Sequence, residues 1–247
     1  MTGTRRGVWW GLAAALALLA LSFVLFAQDA WWDAALRALF PEQPRVLFER
    51  TRLVTLAWQH VVITAASMGI ILAIGLPLGV WLTRPGGRPF LGLASNLLSV
   101  GQTFPPVAVL ALALPFFGFG LRPTLIALVA YGLLPVTRNV IAGLQGVPDD
   151  LKEAARGLGM GPAQLFWRVE APLALPVVLA GVRISATYTV GTATVAPIIG
   201  AGGLGVPIIA GLAVGNTAFV LEGAVPVAVL ALLTDFVLGR VEAVTAR

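Results

Sequence analysis

Long apolar stretches broken by proline and glycine dominate this chain, and they leave few folds open to it. A bilayer core of about 30 Å needs roughly 20 apolar residues per helix. Six stretches meet that length: Val8 to about Ala27, Trp58 to Leu82, Leu91 to Phe117, Pro123 to Leu144, Leu173 to Pro197 and Ala218 to Leu238. Continuous runs of this kind cross lipid as helices, because only helices pair their own backbone amides there. An all-α, polytopic membrane protein with about six transmembrane helices is therefore expected.

Composition excludes the main alternatives. With 58% hydrophobic and 11% charged residues the chain is too apolar for an ordinary soluble domain. Its net charge of +5 does not point to nucleic acid, since the basic residues sit mainly between the apolar runs, where they act as topology signals. There is no cysteine and one histidine, His60, which removes disulfide frameworks and Cys/His metal sites. Lys152, the only lysine, is followed by Glu153, so no phosphate-binding loop ending in Lys-Ser or Lys-Thr exists. No Gly-x-Ser-x-Gly elbow is present either. No catalysis, cofactor or metal is expected of this chain.

Arg5 and Arg6 ahead of the first run resemble the start of a signal peptide. The run is longer than an h-region, however, and no small-x-small site precedes Asp29, so it reads as a helix. Pro77, Pro105, Pro106, Pro115 and Pro135 fall in or near the next three spans. Membrane helices carry such breaks where neighbours or a water-lined cavity satisfy the freed backbone groups. A translocation path and simple packing kinks explain them equally. The run Ile199 to Gly205 is too glycine-rich for a helix interior and is expected to be a loop or turn.

Orientation follows from basic residues in short loops. With the N-terminus inside, the cytoplasmic side carries ten: Arg5, Arg6, Arg84, Arg88, Arg138, Lys152, Arg156, Arg168, Arg240 and Arg247. The outside carries Arg37, Arg45, Arg50, Arg52 and Arg122. Both termini are expected in the cytoplasm, and Gln28 to Thr55, with its Trp31-Trp32 pair, reads as a helix or loop at the interface.

The polar insertion from Gly146 to Pro172 is the most informative stretch. Asp149 or Asp150 is suited to cap a helix after Pro148, and Glu153 three residues beyond Asp150 suggests a capping box. Leu151, Ala154, Ala155 and Leu158 share one face at helical spacing, and Gly157 and Gly159 end the helix. Pro162 suits the first turn of a second helix running to about Val169. A small-residue face allows close approach to another protein; an amphipathic turn resting on the membrane fits the periodicity too.

Glu153-Ala154-Ala155, then three residues, Gly159, nine residues and the close Val169-Glu170-Ala171-Pro172 resemble the signature of ABC importer permeases. That close is Ile-x-Leu-Pro in the family, so Ala171 departs from the pattern. Gln102-Thr103-Phe104-Pro105-Pro106, Phe116-Phe117-Gly118-Phe119-Gly120, Leu133-Leu134-Pro135-Val136-Thr137-Arg138-Asn139, Ala180-Gly181-Val182-Arg183 and Ile199 to Gly205 resemble the osmoprotectant branch, which imports glycine betaine, choline, carnitine or proline betaine. Methionine permeases share parts of the glycine-rich run. The resemblance spans roughly Trp58 to Arg240.

What the resemblance implies is specific. The loop 146–172 would carry a cytoplasmic coupling helix that docks in a cleft of the ATPase through Asp150, Leu151, Glu153, Ala154, Ala155, Arg156, Leu158 and Gly159. Partners would be a dimer of ABC ATPases holding ATP and magnesium, a second identical or homologous permease, and an extracytoplasmic substrate-binding protein, all at a bacterial inner membrane. Solute would pass between spans three to five of both permeases. Gln102, Thr103, Pro105, Arg138, Asn139, Thr187, Thr192 and Thr194 are the candidate lining residues. The chain would divide into an N-terminal segment 1–57, a permease core 58–240 and a cytoplasmic tail 241–247.

Several residues keep two readings. Arg183 lies in span five, where an unpaired charge costs about 2.5–3.5 kcal/mol, so it either gates the path or is paired. Arg138 and Asn139 suit a solvated boundary as well as a path, and the threonines near Thr189 suit interhelical bonds as well as a polar lining. Glu222 and Asp235 fall near opposite ends of span six, which gives little support to a proton-coupled transporter. His60 is expected at the interface. No Trp or Tyr cluster at midplane offers an aromatic cage, so selectivity is expected to reside in the binding protein. A permease for another solute, a secondary transporter or channel, a membrane enzyme and a scaffold are the rival classes.

Overall fold

The structure, a computed structural model, describes residues 2–245, and only the backbone of residues 2–10, 12 and 16. The side chains of Arg5 and Arg6, and Arg247 in the expected tail, lie outside the described residues. Every regular element among those described is helical.

Four helices are long and apolar enough to cross a membrane: α3 (Leu53–Leu82), α6 (Leu121–Gln145), the composite helix Pro162–Ile199 and α11 (Thr217–Thr245). Two bent pairs bring the number of possible spans to six. One joins α1 (Thr2–Phe26) to α2 (Asp29–Leu39) at 76°, and the other joins α4 (Leu91–Thr103) to α5 (Pro106–Phe117) at 98°. Pro77 and Pro135 sit inside α3 and α6 without breaking them. Of the prolines in these spans, the adjacent Pro105 and Pro106 mark the break at Phe104-Pro105, because together they remove two amide donors at one corner.

The break belongs to a crossing, not to a hairpin that returns to its own side. Helix α4 follows the turn after α3, while the end of α5 meets the opposite end of the bundle, where Gly120 N–H donates to Ile199 O at 2.7 Å. The N-terminal half of α1 and the C-terminal part of α11 share one end, since Arg240 packs on Gly11. That end also carries α7 (Asp149–Gly157) and is called the loop end below.

The bundle is built around α6, which packs on α9 (Ala171–Thr192) and α3. Lipid supplies no hydrophobic drive between helices, so they associate through close packing. At Gly181 a Cβ would collide with the Asn139 side chain and the Pro135 carbonyl, and at Gly132 it would collide with Ile71 and Ser185 Oγ. Ser185 Oγ–H donates to Gly132 O at 2.8 Å across the same seam.

Several expectations change. The second helix of the polar insertion does not stop before Pro172. Helix α8 (Pro162–Leu165) runs through a π-helical segment, Phe166–Glu170, into α9 and a 3-10 segment, Ala193–Ile199. Pro172 follows directly on the π-helical segment, in the first turn of α9, and the helix continues past it. After the glycine-rich turn an unforeseen helix, α10 (Gly205–Val214), precedes α11. His60 is not interfacial: it is 1% exposed, and its Nε2–H donates to Val190 O at 2.9 Å, tying α3 to α9.

Residues 28–52 are stitched onto the far end more firmly than an interfacial segment. Trp31 is exposed, but Trp32 and Leu36 are buried with Val46, Leu56, Leu204 and Leu230. Phe48 N–H donates to the Glu222 carboxylate at 2.7 Å, and Asn216 Nδ2 donates to Arg45 O at 2.8 Å. Helix α3 is continuous across residues 57 and 58, where the expected boundary fell.

Candidate functional site

Helix α7 starts after Pro148, whose extended backbone sets the entry. The expected capping is not what holds it. Asp149 and Asp150 occupy the first turn itself, no side chain caps the end, and Asp150 Oδ1 accepts only from its neighbour Leu151 N–H at 2.9 Å. Carboxylates there favour the positive end of the helix dipole, which replaces the cap. No bond from Glu153 closes a box.

The C-terminal stop is as expected from glycine. Gly159 has φ +81°, its N–H donates to Arg156 O at 2.9 Å, and Met160 N–H reaches Ala155 O at 3.1 Å. That pair of bonds is the Schellman pattern, and it requires a left-handed residue at its centre. Gly157 stays inside the helix.

The expected apolar face is split. Ala155 turns inward and is 4% exposed, whereas Leu151 is 44% exposed, Leu158 80% and the nearby Trp167 71%. Glu153, Ala154 and Arg156 are exposed as well. Asp149 pairs with Lys152 Nζ at 3.1 Å. The loop therefore anchors itself through Ala155, Val147 and Leu165 and presents Leu151, Ala154 and Leu158 outward.

The candidate lining residues form two groups. Around the broken span, Gln102 Nε2 donates to Tyr131 O at 2.9 Å and Arg138 Nη2 donates to Ser99 Oγ at 2.8 Å, so α4 is latched to α6 at two levels. Thr103 Oγ1–H returns to Val100 O, and Pro105 is the exposed corner before α5. Asn139 Nδ2 returns to Pro135 O at 2.8 Å beside Gly181. Ser99 and Tyr131 escaped the sequence reading; Ser99 lies three residues before Gln102, on the same helical face.

The second group lies on α9 and its extension, with α6 between it and α4. Thr187 Oγ1–H donates to Arg183 O at 3.0 Å and Thr194 Oγ1–H to Gly191 O at 2.7 Å, while Thr192 is half-buried. Thr189 points into the core and bonds Ser185 O. The threonines do not make one stripe, and the two groups are not brought into contact. Among the described residues no cluster of His, Cys, Asp and Glu is arranged to hold a metal.

The sequence profile of the binding-protein-dependent transport system inner membrane component family matches residues 75–246. The carnitine transport permease protein OpuCB of Listeria monocytogenes is 42% identical over 185 residues, covering 75% of this chain and 84% of that protein. The osmoprotectant import permease protein OsmY of Salmonella typhimurium is 38% identical over 207 residues, 84% of this chain and 85% of its own length. Among solved structures, a chain of the MetNI methionine ABC transporter superposes with a TM-score of 0.68 at 27% identity, covering 77% of this chain and 94% of that one.

Proposed function

The chain belongs to the family of binding-protein-dependent transport inner membrane components, and from that premise we propose that it is the permease of an ATP-driven importer for glycine betaine or a related quaternary-ammonium osmoprotectant. It is a transport subunit, not an enzyme. The substrate reading is supported by relatives named for carnitine, choline and osmoprotectant import.

The observation that carries the mechanism is the outward strip of α7. A short, polar helix held rigidly by Ala155 and the Gly159 turn offers Leu151, Ala154 and Leu158 to a partner. Such a strip suits the cleft of an ATPase subunit, which would hold ATP and magnesium, since this chain lacks a phosphate-binding loop. Closure of two ATPases would push α7, and through it the helix Pro162–Ile199, so that the bundle alternates between outward- and inward-open states.

A second permease copy or homologue accounts for the face around Thr103-Phe104-Pro105. Non-helical backbone at membrane depth is tolerated only against protein or a water-filled cavity. Exposed Arg138 on the same side has the same requirement. An extracytoplasmic binding protein would deliver solute to the far end, with the loop end and both termini in the cytoplasm of a bacterium.

The test is reconstitution with the ATPase and binding protein in liposomes, following uptake of labelled glycine betaine, choline and carnitine. ATP-dependent uptake that needs the binding protein is expected. Uptake driven by a solute or proton gradient without ATP overturns the reading. The likeness to a methionine transporter favours one alternative cargo, and labelled methionine in the same assay separates the two.

A further inference from the structure

The soft point of the arm between α7 and α9 is the π-helical segment Phe166–Glu170. A π turn is wider and less well bonded than its neighbours, and such turns gather at functional positions. A push on α7 would be lost there as local bending unless something braces the joint. Both ends of the joint are in fact tied to one residue. Arg84 Nη2 donates to Glu170 Oε2 at 2.6 Å, and the same guanidinium lies over the Phe166 ring, 5.1 Å from its centroid.

Arg84 is itself rigidly placed. It sits just past the last turn of α3, with its N–H on Trp81 O at 2.9 Å. The turn is so tight that a Cβ at Gly87 would strike the Trp81 carbonyl, and Trp81 stacks on Phe90, 5.6 Å away, at the entry to α4. Glu170's side chain is 8% exposed, and a carboxylate so enclosed is stable only with its cation present. We infer that Arg84 and Glu170 are positioning residues, a strut that makes the end of α3 and the α7–α9 arm move as one body. This rests on the reading of α7 as the element an ATPase drives.

The test uses the complete reconstituted complex and compares the native chain with Glu170→Gln, Arg84→Lys and the charge exchange Arg84→Glu/Glu170→Arg. Arg84→Lys keeps the charge but loses the planar fork and the ring stacking, and it carries the test should Glu170→Gln fail to insert. Expected are ATP hydrolysis within about two-fold of native, uptake per ATP reduced by about ten-fold in the single variants, and recovery to within about three-fold in the exchange. The chain has no cysteine, so spin labels at Gly86→Cys and Ala163→Cys report the strut directly. Their separation is expected to stay constant between nucleotide-free and ATP-bound states with Glu170 present, and to change when it is Gln.

Unaltered uptake per ATP in the single variants, absence of rescue, or a label distance that moves with nucleotide while Glu170 is intact would overturn the strut. A native complex showing no ATP-dependent uptake would instead sink the reading of α7 itself.

Discussion

Arg183 Nε and Nη2 each donate to a separate carboxylate oxygen of Asp235, both at 2.7 Å, across the seam between α9 and α11. Glu242 adds a longer contact to Nη1 at 3.3 Å. The span-five arginine is thus a paired structural residue, and its two-pronged geometry is one that lysine cannot copy. The partners are 36% and 41% exposed, which limits the worth of the pair. Asp235→Asn and Arg183→Lys are each expected to cost about 1–2 kcal/mol. Thermal unfolding of the detergent-solubilised protein checks this, with a difference that narrows at high salt. Equal melting of both variants and the native chain would refute the pairing role.

On α7, Gly159 holds a left-handed backbone that costs other residues about 1–2 kcal/mol. Gly159→Asp strains the stop that fixes the exposed strip, and Glu153→Lys reverses a charge on the exposed surface beside it. Both are expected to lower ATP-dependent uptake by about ten-fold or more while membrane insertion is unchanged. Uptake assays normalised to inserted protein measure this; native uptake in both variants counts against docking.

The latches between α4 and α6 make a milder prediction. Each hydrogen bond contributes about 1 kcal/mol, so Gln102→Ala and Arg138→Ala should each change uptake several-fold, and Ser99→Ala should resemble Arg138→Ala because they share one bond. Divergence of Ser99→Ala from Arg138→Ala would assign Arg138 a role other than this latch.

Close approach of α6 and α9 predicts a packing limit. In Gly181→Val the added Cβ alone collides with Asn139 and the Pro135 carbonyl, and overpacking costs about 1–3 kcal/mol even where the surroundings yield. A sharp loss of monodisperse protein on gel filtration is expected, and a native profile would show that this seam is looser than described.

Sequence patterns reached some of these features and missed others for physical reasons. The Gly159 stop was legible because a left-handed turn is a local demand that glycine meets. The expected capping box does not form, since the helix starts one or two residues earlier, with Pro148 at the cap position and Asp149 and Asp150 already inside the first turn. The inward turn of Ala155 was hidden, because alanine fits a buried or an exposed site equally well. The π segment left no signal of its own, as Phe166, Trp167 and Val169 suit any helix.

Sequence alone determined that the chain is a helical membrane protein with about six crossings, a proline corner in the third and a polar loop after the fourth. Those properties depend on hydrophobic length and on local backbone limits. Tertiary structure decided the partners: Arg183 with Asp235, 52 residues apart, Arg84 with Glu170, 86 apart, and His60 with Val190, 130 apart. Helices that are apolar all round carry no mark of which face turns inward, so only their packing against one another selects which polar side chains meet.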